Sequence, residues 1–274
     1  MNNKIASGTI PVNNANIYFK IYGEARPILL MITGGTGDAD SFDNIIPFLA
    51  DHYTIITYDR RGYTRSQIIK ISENEFIDIQ TQSNDVHSLL KTLTTEPVFV
   101  FGSSIGAVIA LDLATRYPSL VKKVIAHEPP LINQLPESEK AGKVPDMMLN
   151  ETPFEAMRRF TESFGLVPRH LAGQTFMHIS KDAIKRKAAD TKFFLEHESK
   201  GVDSYHLNLE KIRGVSSKIA FVAGKESKGN FLYGLAVKTA KDTGAPFFEV
   251  VGHHIGYGQY PAEFSKEMIF LLNT

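Results

Sequence analysis

Cysteine is absent from the 274 residues. The chain therefore has no disulfide framework, no thiolate metal site and no cysteine nucleophile. Excess charge of either sign is absent too: 30 basic residues face 30 acidic ones, for a formal net charge of zero. That removes the electrostatic reason to expect nucleic acid or an anionic membrane as a partner. No run of about eighteen apolar residues occurs, so no membrane span is expected. The opening MNNKIASGTI lacks the apolar core and cleavage site of a secretory signal, and the expected location is cytoplasmic. Internal repeats and low-complexity segments are also missing. What remains is an ordinary globular composition, 43% hydrophobic and 22% charged. It is enough for one large α/β domain, or for such a domain with an inserted cap.

One stretch organises the rest: Pro97 to Leu113, PVFVFGSSIGAVIALDL. Val98 to Phe101 is a β-branched and aromatic run without polar alternation, as expected of a strand covered on both faces. Ile105, Val108, Ile109 and Leu113 then recur at helical spacing. Between strand and helix lies Gly102-Ser103-Ser104-Ile105-Gly106, a G-x-S-x-G centred on Ser104. A chain of this length shows that pattern by chance about 0.09 times, so the flanking strand and helix carry the argument. In that context the serine sits on a strained turn with its hydroxyl exposed. The flanking glycines keep side chains out of a crowded bend. The Ile105 N–H, at the helix N-terminus, faces a developing oxyanion.

Strand and helix alternate around this unit. Ser7–Val12 and Ile17–Tyr22 read as a hairpin joined by Asn13-Asn14. Ile28–Ile32 is a buried strand running into Thr33-Gly34-Gly35-Thr36-Gly37, with a helical stretch from about Ser41 to Ala50. Tyr53–Tyr58 is the next strand, followed by Asp59-Arg60-Arg61-Gly62, and a helix covers about Gln82 to Leu93. Val121–Ala126, Lys218–Ala223 and Phe247–Val251 are further strands. A helix ends near Gly244, and a last one begins at Pro261. The rhythm predicts a mostly parallel sheet covered by helices on both faces. It breaks from about residue 129 to 208, where no buried strand is evident. There Thr152-Pro153-Phe154-Glu155 is a capping box, and a second helix follows Ser180. This stretch is expected to be a helical cap over a core formed by residues 1–128 and 209–274. Its basic clusters, Arg158-Arg159 and Lys185-Arg186-Lys187, read as solvated faces.

Ser104, Glu226 and His254 each fall in a loop just after an expected strand. In a parallel sheet such loops emerge at one edge, where ligands bind. A serine hydroxyl needs a base to take its proton, histidine supplies that base, and a carboxylate fixes the histidine tautomer. The second oxyanion donor is expected to be the Gly35 N–H. Glu128, after the preceding strand, is the alternative acid, and His253 competes with His254.

The segments ILLMITGGTG, YDRRGYTRS, FVFGSSIGAV, VAGKES and VGHHIGY together resemble the α/β-hydrolase superfamily over nearly the whole chain. The resemblance implies the α/β-hydrolase fold, a serine nucleophile and a Ser-His-acid triad. Its Gly-His-x-Gly context favours His254 over His253. Three positions depart from the family pattern: Thr33 stands where histidine is usual, Thr64 replaces a glycine, and Ser227 occupies the usual aspartate position, with Glu226 one residue earlier. The function expected is hydrolysis of a small ester- or lactone-type acyl substrate, with neither cofactor nor metal. The partner expected is a small molecule, not nucleic acid or membrane.

Three alternatives stand beside it. A non-catalytic receptor can share the fold, and perhydrolase or C–C hydrolase chemistry can use the same triad. Residues 28–59 also mimic a nicotinamide dinucleotide-binding unit, although its third glycine would fall at Asp40.

Overall fold

The computed structural model describes residues 4–72, 75–135, 155 and 181–274. The chain begins with the expected hairpin, β1 (Lys4–Val12) and β2 (Ala15–Tyr22). Asn13 and Asn14 turn it with φ of 35° and 67°, the left-handed pair that a two-residue hairpin requires and asparagine tolerates. The remaining strands are β3 (Ile28–Ile32), β4 (Thr54–Tyr58), the short β5 (Gln67–Ile68), β6 (Val98–Ser103), β7 (Val121–His127), β8 (Ile219–Gly224) and β9 (Phe247–Val250). They form one sheet in the order β1-β2-β4-β3-β6-β7-β8-β9, with β5 paired to β2. From β4 to β9 every neighbouring pair is parallel; the hairpin adds an antiparallel edge.

The helices are α1 (Ile46–Leu49), α2 (Ile79–Leu93), α3 (Ile105–Arg116), α4 (Lys181–Phe193), α5 (Ser199–Asp203), α6 (Leu209–Gly214), α7 (Phe231–Thr243), α8 (Gly256–Gln259) and α9 (Pro261–Asn273). Alternate residues of β3 divide between the two faces of the sheet. Leu30 and Ile32 pack with α2, α3 and α6, while Leu29 and Met31 pack with α1 and α9. This period-two division explains why ILLMI has no polar position: both faces are covered.

The helix expected over Ser41–Ala50 is broken. A 3-10 turn, Ala39–Phe42, is capped by the Asp38 carboxylate, and α1 starts afresh at Ile46 with Pro47 in its first turn. Proline has no N–H to continue an earlier helix and is accommodated only at a start. Gly244, in the left-handed region at φ 71°, ends α7 as expected.

The chain leaves β3 for β4 on one side and reaches β6 on the other. The topological switch point therefore lies between the C-terminal ends of β3 and β6, where parallel α/β sheets open a crevice. Most of the stretch expected to form the cap, including the Thr152 helix start and Arg158-Arg159, lies outside the described residues. Those described between 129 and 208 are helical or irregular: a 3-10 turn at Ile132–Gln134, then α4, a π-helical turn at Phe194–Glu198, and α5. Helix α4 docks on the loops at the crevice. Asp190 accepts hydrogen bonds from the Thr64 N–H at 2.8 Å and the Thr64 hydroxyl at 2.7 Å. The Phe193 ring meets Tyr63 edge-on at 5.3 Å. Lys185 and Arg186 are exposed as expected, but Lys187 donates to the Thr36 carbonyl at 2.8 Å. No helix among the described residues is long and apolar enough to cross a membrane.

Candidate active site

Ser104 lies between β6 and α3 with φ 57° and ψ −125°, a conformation an L residue adopts only when its surroundings impose it. The turn is tight because backbones touch. A Cβ on Gly102 would stand 2.3 Å from the Gly106 carbonyl oxygen, and one on Gly106 would stand 2.2 Å from that of Ile32. The Ser104 N–H is held by the His127 carbonyl at 2.8 Å, and the Ser104 carbonyl accepts from Ala107 at 2.9 Å. Ile105 opens α3, so its N–H belongs to the first turn, where no intrahelical acceptor exists.

Across the switch point stands the loop after β3. Gly34 is its point of closest approach: a Cβ there would be 2.9 Å from Ser104 Cβ. Gly35 faces the Ile105 side chain and the Phe194 ring instead. The Thr33 hydroxyl, at the position where the resemblance expects histidine, is buried without a hydrogen-bond partner among the described residues. The loop is held from outside: Arg60 Nη2 donates to the Gly34 carbonyl at 3.0 Å, and Lys187 to that of Thr36.

His254 follows β9, and its Nδ1 lies 2.6 Å from a carboxylate oxygen of Glu128. This corrects the expectation that Glu226 would be the partner. Glu226 is exposed in the 3-10 turn Lys225–Ser227, its N–H on the Gly252 carbonyl at 2.9 Å and its carboxylate bonded to Tyr260. Glu128 directly follows β7, with φ 47°. This left-handed step lets the residue turn out of the strand, and its side chain is 1% exposed. Its second oxygen accepts the Gly224 N–H at 3.0 Å. Burial pushes the Glu128 carboxyl up, but the His254 hydrogen bond and the charges of His254 and His127 outweigh it and hold the group at about 2. His253, the competing histidine, is fully buried and its carbonyl accepts the Gly256 N–H at 2.7 Å.

Comparison with known proteins agrees with the fold. The family model described as alpha/beta hydrolase fold matches residues 27–199. The chain belongs to the alpha/beta hydrolase fold family. It is 35% identical over 273 residues to the uncharacterized hydrolase YraK of Bacillus subtilis (strain 168), covering 96% of this chain and 95% of that one. Among solved structures, naproxen esterase (carboxylesterase NP) from Bacillus subtilis superposes with TM-score 0.68 at 16% identity, over 98% of this chain and 91% of that one. The enol-lactonase from Burkholderia xenovorans LB400 superposes with TM-score 0.66 at 18% identity, over 97% and 100% of the two chains.

Within this hydrolase fold, two buried arrangements bring together residues from distant parts of the chain. Behind His254 lies His127, fully buried, its ring stacked on that of His254 at 5.9 Å. Burial pulls the His127 imidazole down to about 4, against the opposing charge of Glu128, so it is neutral at ordinary pH. Beneath the Gly34 loop is a buried cluster of Arg60, Tyr63, Gln82 and Glu198. Arg60 Nη1 donates to Gln82 Oε1 at 2.6 Å and to Glu198, and Gln82 donates to Glu198 at 3.1 Å. The Tyr63 hydroxyl donates to the other Glu198 oxygen. Arg60 was legible as part of YDRRGYTRS, but Glu198 lies 138 residues further along the chain.

Proposed function

We propose that the chain is a serine hydrolase acting on a small ester- or lactone-type acyl substrate. Ser104 is the nucleophile, His254 the base, Glu128 the orienting acid, and the Gly35 and Ile105 N–H groups the oxyanion donors. The observation that carries this reading is the 2.6 Å contact between His254 Nδ1 and the buried Glu128 carboxylate, taken with the strained strand-to-helix turn that holds Ser104.

With Nδ1–H bonded to Glu128, the far ring nitrogen of His254 carries a lone pair. It takes the Ser104 proton as Oγ bonds to the acyl carbon. The carbonyl oxygen becomes an oxyanion facing the two N–H donors. Collapse expels the alcohol, which leaves with the proton held by His254. A water then repeats the sequence on the acyl-enzyme: it gives its proton to His254, and Ser104 recovers one as the acid departs. Glu128 stays ionised throughout and stabilises the imidazolium at each step. The esterase and lactonase among the structural neighbours support the substrate class, and YraK supports hydrolysis. The described helix α4, which docks on the crevice loops through Asp190 and Phe193, belongs in this reading to a cap that shapes the acyl pocket.

The test is a fluorophosphonate probe followed by p-nitrophenyl esters of increasing acyl length. The adduct is expected on Ser104, with steady turnover. An adduct on Ser103, or none, overturns the assignment. Labelling without turnover of any ester or lactone would favour a receptor on the same fold.

A further inference from the structure

We propose that Arg60 is a positioning residue: it holds the Gly34–Gly35 peptide so that the Gly35 N–H faces the reacting oxygen. This rests on the function proposed above and adds a device to it. The carbonyl of Gly34 and the N–H of Gly35 belong to one peptide unit, and in a trans peptide they point in opposite directions. Fixing the carbonyl therefore fixes the N–H. The only side chain among the described residues that bonds this carbonyl is Arg60, through Nη2 at 3.0 Å.

The peptide needs such a hold. It joins two glycines, so no Cβ resists rotation of its plane. Thr33, one residue earlier, has a buried hydroxyl with no partner among the described residues. The Gly37 N–H reaches the same Gly34 carbonyl only at 3.4 Å. Arg60, by contrast, is locked. It is 1% exposed, its guanidinium carbon lies 4.4 Å from the Tyr63 ring centre, and Nη1 is engaged by Gln82 and Glu198. The planar fork thus spans Glu198 on one nitrogen and Gly34 on the other. A lysine ammonium can keep the charge opposite Glu198 but cannot reproduce that span. Because Glu198 ends the turn after α4, the alignment of the oxyanion donor depends on the seating of that segment.

The test compares Arg60→Lys with Asp85→Asn. Asp85 forms the neighbouring buried ion pair with Arg61, at 2.6 Å, and bonds nothing in the Gly34 loop. Arg60→Lys is expected to lower kcat on p-nitrophenyl butyrate by roughly 10- to 100-fold, a partial loss of one oxyanion donor. KM should move less than about threefold, and phenylboronic acid, whose tetrahedral adduct places an oxygen in the oxyanion site, should weaken in step with kcat. Asp85→Asn is expected to lower Tm while leaving kcat and boronate affinity unchanged. Full kcat and unchanged boronate affinity in Arg60→Lys, while Ser104→Ala is inactive, would overturn the inference and leave the function standing. An active Ser104→Ala would overturn the function itself. If Arg60→Lys does not fold, the wild-type enzyme carries the test. Phenylboronic acid should shift the Gly35 amide signal in an NMR titration and leave the Arg60 guanidinium protons protected from exchange. A Gly35 amide that does not respond, or Arg60 protons that exchange freely, would refute the positioning.

Discussion

Replacing Glu128 by glutamine changes one oxygen to an amide nitrogen, and two fixed partners dictate how the new side chain must turn. One carboxylate oxygen accepts the Gly224 N–H at 3.0 Å; the other meets His254 Nδ1 at 2.6 Å. A glutamine must turn its single oxygen to one of them. Facing Gly224 with its NH2 would set donor against donor in a site 1% exposed, so the oxygen goes to Gly224 and the NH2 to His254. Nδ1 then has to accept, and the ring proton moves to Nε2, the nitrogen that must be free to receive the Ser104 proton. The wrong tautomer and the missing counter-charge together are expected to lower kcat by about 10⁴. The fold should weaken as well. The folded state holds the Glu128 carboxyl at about 2 rather than its ordinary 4.5 and so favours the ionised form that glutamine lacks. Glu226→Gln, on an exposed carboxylate bonded to Tyr260, should keep kcat within about twofold, as expected of a surface site. The assay is p-nitrophenyl butyrate turnover by both variants, with urea denaturation for stability. A crippled Glu226→Gln beside an active Glu128→Gln would refute the reasoning.

Ser104→Ala should lose about 10⁴- to 10⁶-fold in turnover and all fluorophosphonate labelling while its circular dichroism is unchanged. Acid should destabilise the enzyme in two stages. His127, pulled to about 4 from 6.5, is protonated first in the unfolded chain, so stability falls by about 3 kcal/mol as pH drops from 6.5 to 4. The Glu128 contribution, fully present above 4.5, is lost as pH falls towards 2. His127→Phe should abolish the first stage and reduce the second, because the His127 charge is one of the influences that lower Glu128, as read by urea denaturation at stepped pH. Gly106→Ala forces a Cβ to 2.2 Å from the Ile32 carbonyl oxygen, backbone against backbone, and should cost at least about 3 kcal/mol or prevent folding; a Tm near wild type would contradict the contact. Asp190→Ala removes both hydrogen bonds to Thr64 and should speed amide exchange in α4 while leaving β6 slow.

The sheet was legible from residue order because its information is local. Unbroken apolar runs such as ILLMI and VFVF mark strands covered on both faces. Asn13-Asn14 and Gly244 supply the left-handed conformations their turns require. The serine turn was legible for the same reason: Gly102 and Gly106 stand where a Cβ would strike backbone within a few residues of Ser104 or from the adjoining strand β3. The break between Ala39 and Ile46 was less visible, because a capping aspartate and a proline act on hydrogen bonds that apolar spacing does not report. Choosing between the acids was beyond local reading. Glu128 and Glu226 come after neighbouring parallel strands, β7 and β8, and so emerge at the same edge of the sheet. What separates them is direction. Glu128 turns inward at φ 47° to meet a loop 126 residues away, while Glu226 lies in a 3-10 turn facing solvent. The Arg60–Glu198 pair escaped the sequence for the same reason, since a buried charge finds its partner through space, across 138 residues of chain. Periodicity and turn chemistry are written along the backbone; which buried charges meet is decided only when the packed structure brings them together and shuts out water.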